Sequence, residues 1–274
     1  MTTLLMATDL SPRSDRALER AVAMAAVSGA ALTVLHVVDE DLPPTVADAQ
    51  IRAAEDALAA RLRSIERAGD ASVRVEVVPG RPEATIAATA ERLAAALVVI
   101  GVHRDRSVAD LFRGTTAERL IRARAMPVLL ARAPVTGPYQ RLMVAVEPSP
   151  VAARAVEMAA WLQPEGEIEL VHAYQVPFEG FLGDAGTREQ VADRAVAEIE
   201  AFVAGCGAAT PRLRCVLQEG EVKAVLYDVV ARHRPDLLVI GTHGRKGFGH
   251  AILGSVAEDI LRAPPTDVLV VDAR

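Results

Sequence analysis

The chain repeats itself once, and this repeat constrains its fold more than any other feature. Three pairs of matching stretches are each offset by 140 residues: 101–103 (GVH) and 241–243 (GTH), 117–123 (AERLIRA) and 257–263 (AEDILRA), and Val128 and Val268. One offset kept through a loop, a helix and a strand indicates an internal duplication. Each half of the 274 residues is long enough to bury a core of its own. We therefore predict domains over 1–133 and 141–274, joined by a Pro- and Gly-rich linker over 134–140.

Short apolar segments alternate with segments of helical spacing in each copy. The first copy predicts strands at 3–9, 31–39, 71–80, 97–101 and 127–131, and helices from Pro12 to about Ser28, over 45–68, over 82–94 and from Thr115. The same order restarts at 141. Alternating strands and helices pair in parallel through right-handed crossovers. The prediction is an α/β fold of two tandem doubly wound domains, each a five-stranded parallel sheet in the order 3-2-1-4-5 with four helices.

That strand order also predicts where a ligand binds. In a doubly wound sheet the order reverses beside strand one, and ligands bind outside the carboxyl ends of the strands there. This places Asp9 beside Gly101 in the first copy, and Glu147 beside Gly241 in the second. We expect one such crevice in each copy.

A glycine-rich loop follows the fourth strand of the second copy. Its spacing is Gly241-x-x-Gly244, nine residues, then Gly254-Ser255, which is neither the P-loop nor the dinucleotide spacing. Glycine permits positive φ and close approach of a ligand to the backbone, and N–H groups at the start of a helix attract an anion. The alternative is an ordinary capped helix, because Ser255-x-x-Glu258 has the pattern of a capping box. The residues alone leave both interpretations open.

These motifs resemble the universal stress protein family in its tandem form. The resemblance rests on the glycine pattern, the Asp9-x-Ser11 opening, the histidines that end strand two and the final VLVV strand, and covers nearly the whole chain. It implies a fold that binds ATP or another adenine nucleotide, with or without Mg²⁺. The acidic residue after strand one and the end of strand two would hold the adenosine, and the glycine loop would hold the phosphates.

The resemblance assigns a nucleotide contact to matching positions in both copies. In the second copy these are Gly241, Thr242, His243, Gly244, Gly254, Ser255, Val256, Ala257, Glu147 and Ala173. In the first copy they are Asp9, Val37, Gly101, Arg104, Gly114 and Thr115. Glu147 stands where the family usually has aspartate, which weakens the expected ribose contact. Arg104 replaces the second loop glycine, so it either blocks the phosphate position or binds a phosphate with its guanidinium group.

The sequence contains no recognisable catalytic or metal motif. We interpret Ser11 and Ser149 as helix caps, because a proline follows each. Cys206 and Cys215 are nine residues apart, which fits neither a redox motif nor a zinc site. We therefore expect a regulatory, nucleotide-binding protein of the stress response and not an enzyme. The alternatives are a slow ATP hydrolase or self-phosphorylating enzyme, and a nucleotide-independent scaffold.

The charge and hydropathy of the chain limit the classes of partner that we expect it to bind. The net charge of −6 and an aromatic content of 3% argue against a nucleic-acid binder. No apolar segment approaches the length of a membrane span, and the N-terminus does not resemble a signal peptide, so we expect a cytoplasmic protein.

The final strands VLLA and VLVV would leave exposed edges. By resemblance to family dimers, we expect them to pair within the chain as a pseudo-dimer, with a homodimer as a further association.

Overall fold

The computed structural model describes residues 2–65, 68–102, 116–123, 126–176, 185–206, 212–242 and 253–272. Its contacts divide the chain into two compact units, Met1–Pro138 and Tyr139–Ala273. Each unit is an α/β fold whose strands and helices alternate along the chain. The predicted fold class and tandem organisation are confirmed. No helix within the described ranges combines the length and the apolar character that a membrane crossing requires.

The described residues of the first unit form five strands and four α-helices. The strands are β1 Thr3–Thr8, β2 Ala31–Asp39, β3 Ser72–Gly80, β4 Leu97–Gly101 and β5 Val128–Ala131. The helices are α1 Pro12–Ser28, α2 Pro44–Ser64, α3 Pro82–Arg92 and α4 Thr116–Ala123, with a short 3₁₀ helix at Ala68–Asp70.

The second unit repeats this order. Its strands are β6 Leu142–Ala145, β7 Glu167–Tyr174, β8 Arg212–Glu219, β9 Leu237–Gly241 and β10 Asp267–Val271. Its helices are α5 Pro150–Leu162, α6 Ala185–Gly205, α7 Val222–His233 and α8 Ser255–Arg262.

Both units have the predicted strand order. The sheet runs β3-β2-β1-β4-β5 in the first unit and β8-β7-β6-β9-β10 in the second. β1 pairs in parallel with both β2 and β4, and β6 pairs in parallel with both β7 and β9. The chain therefore reverses direction across the sheet beside β1 and beside β6, which fixes one crevice in each unit.

The central strands are apolar because helices cover both of their faces. Leu4, Leu5 and Met6 in β1 are fully buried, as are Met143 and Val144 in β6. Such strands read as continuous branched and apolar runs and not as alternating ones. The central strand of each sheet thus packs on both faces and holds its carboxyl end in a fixed place.

One predicted boundary differs clearly from the structure, and the difference has a local cause. The second helix ends at Ser64 instead of 68, because Ile65 adopts an extended conformation with φ −85° and ψ 121°.

Asp236 ties the start of β9 to the start of β6, and this supports a pH-dependent prediction. Its carboxylate accepts hydrogen bonds from the N–H of Gln140 and the N–H of Arg141, both at 3.0 Å, and from the Arg141 guanidinium at 2.9 Å. Partial burial raises the pKa of Asp236, but these bonds outweigh it and hold the pKa below its ordinary value. The charged form is therefore the stabilising one.

We expect Asp236→Asn to lower the free energy of unfolding by about 1–2 kcal/mol at pH 7. A depressed native pKa contributes stability above the unfolded pKa and loses it as pH falls through the native pKa. The difference between wild type and variant should therefore shrink below about pH 4. Urea unfolding across pH measures this, with Asp56→Asn on the exposed face of α2 as the control. A difference that does not change with pH would contradict the assignment.

Candidate functional site

The first crevice is built where β1 ends between β2 and β4. Thr8 is level with His36 of β2, and Ala7 is level with Ile100 of β4. Continuing this register places Thr8, and not Asp9, level with Gly101. The predicted juxtaposition is thus shifted by one residue, and Asp9 lies just beyond the sheet at its carboxyl edge.

Hydroxyl groups hold the Asp9 carboxylate in one orientation. Its Oδ1 accepts hydrogen bonds from the Ser11 N–H at 3.0 Å, the Ser11 hydroxyl at 2.5 Å and the Ser14 hydroxyl at 2.8 Å. Partial burial raises the pKa of Asp9, but the bonds from Ser11 and Ser14 outweigh it and keep the pKa below its ordinary value. Within the described residues no donor from another residue is recorded for Oδ2. The carboxylate is therefore charged and rigid, with one oxygen available to a ligand.

The prediction that Ser11 stands at the N-cap of α1, with a proline in the first turn, is confirmed, but its hydroxyl does not cap the helix. Ser11 occupies the N-cap position of α1, but its side chain makes no capping bond and is bound to Asp9 instead. Ser149 of the second unit does cap its helix, because its Oγ accepts from the Ala152 N–H at 3.2 Å. An aspartate two residues before the serine competes for the hydroxyl in the first unit, and Glu147 does not.

Strand two is fixed to strand one by a histidine in each unit. His36 Nδ1 lies 2.9 Å from the Thr8 carbonyl oxygen, and His172 Nδ1 lies 2.9 Å from the Val146 carbonyl oxygen. A carbonyl oxygen can only accept, so Nδ1 carries the proton in both. The residues that follow, Val37 and Ala173, are half-buried at the carboxyl edge. The assigned adenosine positions of both units thus lie beside Asp9 and Glu147.

Glu147 is less constrained than Asp9. The register of β6 with β7 places it level with Ala173, as Asp9 is with Val37. Its side chain is exposed, and among the described residues no hydrogen bond to it is recorded. The second unit therefore presents a flexible carboxylate where the first presents a fixed one.

The ends of the second-unit glycine loop are held together by backbone hydrogen bonds. The Thr242 N–H donates to the Val271 carbonyl at 2.9 Å, and the Gly254 N–H donates to the Thr242 carbonyl at 2.9 Å. These bonds place the start of α8 at the carboxyl end of β9. His243 and Gly244 lie outside the described residues. The described part of the loop thus consists of Gly241 and Thr242 at one end and Gly254 and Ser255 at the other.

Helix α8 begins in a way that settles two local predictions. Gly254 is its N-cap, with φ −63° and ψ 146° and no side-chain cap. The prediction of positive φ is therefore wrong at Gly254, and the capping box is wrong at Ser255, which is already the first helical residue. The Ser255 side chain is exposed. Among the described residues no acceptor is recorded for the N–H groups of Ser255, Val256 and Ala257.

The corresponding part of the first unit is described only at its ends. Gly101 closes β4, and the Val102 N–H donates to the Ala131 carbonyl at 3.1 Å, as Thr242 does to Val271. Helix α4 begins at Thr116. Arg104, Gly114 and Thr115 lie outside the described residues. In the described part of the chain, no three His, Cys, Asp or Glu side chains are grouped as metal ligands would be.

Comparison with known protein families divides the chain at nearly the same place as the contacts do. A sequence profile of the Universal stress protein family matches residues 1–132 and again residues 138–272. The chain belongs to the universal stress protein family. A universal stress protein of Thermus aquaticus is 31% identical over 137 residues, which are 48% of this chain and 98% of that protein. That relative therefore corresponds to one of the two units.

Solved structures show the fold over the whole chain. A universal stress protein from Archaeoglobus fulgidus has a TM-score of 0.74 at 21% identity, covering 99% of this chain and 98% of that one. A functionally unknown protein from Pseudomonas aeruginosa has a TM-score of 0.69 at 19% identity, covering 99% of this chain and 92% of that one. Both structures cover the two units of this chain, so they share its fold over nearly its whole length.

The sequence analysis did not predict the side chains that hold Asp9 in place through hydrogen bonds. Ser14 is 4% exposed and also accepts a hydrogen bond from the Thr8 hydroxyl at 2.9 Å. The Leu10 N–H donates to the Thr8 hydroxyl at 3.0 Å, which holds Leu10 at φ 59°. The available signal was a serine on the buried face of α1, where an apolar residue is the usual choice.

Thr242 is buried just after the carboxyl end of β9. The residue is 2% exposed, and its Oγ1 is buried with no hydrogen-bond partner in the described part of the chain. Its backbone N–H and carbonyl are both bonded. Thr242 therefore positions the loop through its backbone.

Proposed function

We propose that this universal stress protein binds ATP or a related adenine nucleotide, with the phosphates at the start of α8 in the second unit. The observation that carries the proposal is the exposed Ser255 hydroxyl beside the N–H groups of Ser255, Val256 and Ala257, at the point where the strand order reverses. Backbone N–H groups at a helix start, together with the helix dipole, form an anion site.

The first turn of α8 fits a phosphate in its chemistry. A phosphate oxygen accepts hydrogen bonds and cannot donate them when ionised, and Ser255 offers both a backbone N–H and a hydroxyl. Charge-assisted hydrogen bonds are each worth about 1.5–3 kcal/mol, so two or three of them would contribute about 3–9 kcal/mol to nucleotide binding.

The adenosine end is organised differently in the two units. In the first unit Asp9 is fixed and charged, with Oδ2 available to a ribose hydroxyl. In the second unit Glu147 must lose side-chain freedom on binding, at a cost of order 1 kcal/mol. We propose that the second unit has the stronger phosphate site and that its ribose contact is the weaker part of it.

Shortening Glu147 tests this division. Glu147→Asp is expected to raise the affinity for ATP by about fivefold, because the shorter side chain has less rotamer entropy to lose. Isothermal titration calorimetry measures the change. Glu165→Asp, on the exposed turn between α5 and β7, is the matched control and should leave the affinity unchanged. Weaker binding by Glu147→Asp would show that the longer carboxylate is required.

We propose Mg²⁺ only as an ion that the phosphates of ATP bind. The proposed role is regulatory: we propose a cytoplasmic protein of the stress response whose nucleotide occupancy sets its conformation or its choice of partner.

Two associations stay predictions, namely the pairing of the final strands as a pseudo-dimer and a homodimer of whole chains. Both are checked by solution scattering and sedimentation with and without ATP.

Denaturing the purified protein and identifying released molecules by mass spectrometry tests the proposal, followed by calorimetric titration with ATP. We expect an adenine nucleotide to be released or bound. No released nucleotide together with no binding at millimolar ATP would refute it and would favour the nucleotide-independent scaffold. Multiple-turnover phosphate release that is lost in Ser255→Ala would instead favour the slow ATP hydrolase or self-phosphorylating enzyme.

A further inference from the structure

Leu10 lies between Asp9 and Ser11 in a backbone conformation that leucine rarely adopts. Its φ is 59°, in the left-handed region, where the Cβ of an L residue crowds the following carbonyl oxygen. Glycine is the usual residue there, because it has no Cβ. Another residue keeps such a conformation only where its surroundings hold it. The contacts of Leu10 therefore identify what holds the turn after β1.

Two side chains bind the two polar backbone groups of Leu10. Its N–H donates to the Thr8 hydroxyl at 3.0 Å, and its carbonyl oxygen accepts from Arg61 Nη2 at 2.7 Å. Thr8 is a neighbour in the chain, but Arg61 belongs to the last turn of α2, 51 positions away. Arg61 thus connects α2 to the turn that carries Asp9.

A second contact keeps the Arg61 guanidinium in place. Its Nη1 lies 2.5 Å from Oδ1 of Asp15, in the first turn of α1, and the two side chains are 30% and 42% exposed. A guanidinium group has several N–H donors in one fixed plane, so it can bind a carboxylate and a carbonyl oxygen at once. Arg61 therefore links the Leu10 turn to the start of α1.

The conformation of Leu10 decides whether the Asp9 carboxylate is held. The Ser11 N–H and the Ser11 hydroxyl both donate to Asp9 Oδ1, and Leu10 is the one residue between donor and acceptor. A change of φ at Leu10 would turn Ser11 away from Asp9 and break these bonds. The Asp9 side chain is exposed, so it would then regain its rotamer freedom.

The second unit has a different residue at each of these positions. Pro148 stands at the position of Leu10, and its ring restricts φ to about −65°. The last two turns of α6, the counterpart of α2, contain no lysine or arginine. Glu147 stands at the position of Asp9, and among the described residues no hydrogen bond to its side chain is recorded. Within the described part of the chain, a held carboxylate and a tethered turn thus occur together in the first unit only.

We infer that Arg61 is a positioning residue for the ligand that binds at Asp9. By binding the Leu10 carbonyl and Asp15, it keeps the turn in the left-handed conformation in which Ser11 orients the carboxylate. Oδ2 of Asp9 then stays available to a ribose hydroxyl. The inference rests on the proposed function, which supplies the ribose. It adds that the contact in the first unit depends on a side chain of α2.

Titration of the Asp9 carboxyl in the ligand-free full chain, followed by its carbon resonance in NMR spectra, tests the inference. Partial burial raises the pKa of Asp9, but the bonds from Ser11 and Ser14 outweigh it and keep the pKa below its ordinary value. Arg61→Met removes both bonds of the guanidinium, so the pKa of Asp9 is expected to rise as the released turn withdraws Ser11. Arg63→Met, exposed in the same turn of α2, is the matched control and should leave the pKa of Asp9 unchanged.

Leu10→Gly separates positioning from a direct effect of charge. Glycine adopts φ 59° without strain, so the turn no longer needs to be held. The double variant of Arg61→Met and Leu10→Gly should return the pKa of Asp9 towards its wild-type value, although the guanidinium is still missing and Asp15 has still lost it. A rise that persists in the double variant would overturn the inference and assign the effect to charge. An unchanged pKa in Arg61→Met would overturn it as well.

Binding of ATP in the first unit gives a second readout. ATP is titrated into the Gly254→Val variant, in which the proposed phosphate site of the second unit is blocked, while the amide resonance of Ser11 is followed. Arg61→Met should weaken this binding by about fivefold, and Leu10→Gly should restore it. Absence of binding in the first unit would refute the ribose contact at Asp9, whereas the pKa of Asp9 would still decide whether Arg61 positions the carboxylate. Should Arg61→Met fail to fold, as judged by circular dichroism, Arg61→Gln, whose shorter side chain cannot reach both acceptors, takes its place.

Discussion

Replacing Gly254 with valine is expected to lower the affinity for ATP by about tenfold or more while the second unit stays folded. Gly254 has φ −63° and ψ 146°, which valine also adopts, and its bond to the Thr242 carbonyl uses only the backbone. The added methyl groups would stand beside the N–H groups of α8, where the phosphates are proposed to lie. The loss would therefore report close approach of a ligand and not a strained backbone.

Calorimetric titration with ATP measures this effect, and thermal unfolding confirms that the variant is folded. Gly205→Val at the end of α6 is the matched control, because a Cβ at Gly205 has no heavy atom within 4 Å. Its affinity for ATP should equal that of the wild type. Unchanged binding by Gly254→Val would exclude the start of α8 as the phosphate site.

Tyr139→Phe is expected to lower the free energy of unfolding by about 2–3 kcal/mol. Tyr139 is 3% exposed, and its hydroxyl donates to Asp267 Oδ2 at 2.7 Å. Asp267 is fully buried at the start of β10. The substitution removes one donor from a buried carboxylate and puts nothing in its place, which is costly.

Urea unfolding of the full chain measures the effect. Tyr174→Phe in the same unit is the control, because among the described residues no hydrogen bond of its hydroxyl is recorded. It should change stability by less than about 0.5 kcal/mol. Equal stability of Tyr139→Phe and wild type would show that Asp267 obtains its hydrogen bonds elsewhere.

The fold was predictable because its signals are periodic and occur twice. The apolar runs of β1 and β6 and the prolines that start α1, α3 and α5 appear in the sequence at the places where these elements form. The duplication required the same strand order in both halves, and the alternation of strands with helices favoured a doubly wound sheet.

The contacts between distant side chains were not predictable from spacing. Tyr139 reads as part of a linker, but its hydroxyl bond to Asp267 spans 128 positions of the chain. Ser11 reads as a cap because a proline follows it, but a cap and a bond to Asp9 have the same local sequence. Ser255 has the capping-box pattern, and only the observed start of α8 at Ser255 excludes that role.

Crystals of the full chain grown with ATP test the central claim most directly. We predict electron density for a triphosphate within hydrogen-bond distance of the N–H groups of Ser255, Val256 and Ala257. The adenosine should extend towards Glu147 and Ala173. Density only beside Asp9 in the first unit, or no nucleotide density at saturating ATP, would contradict the account.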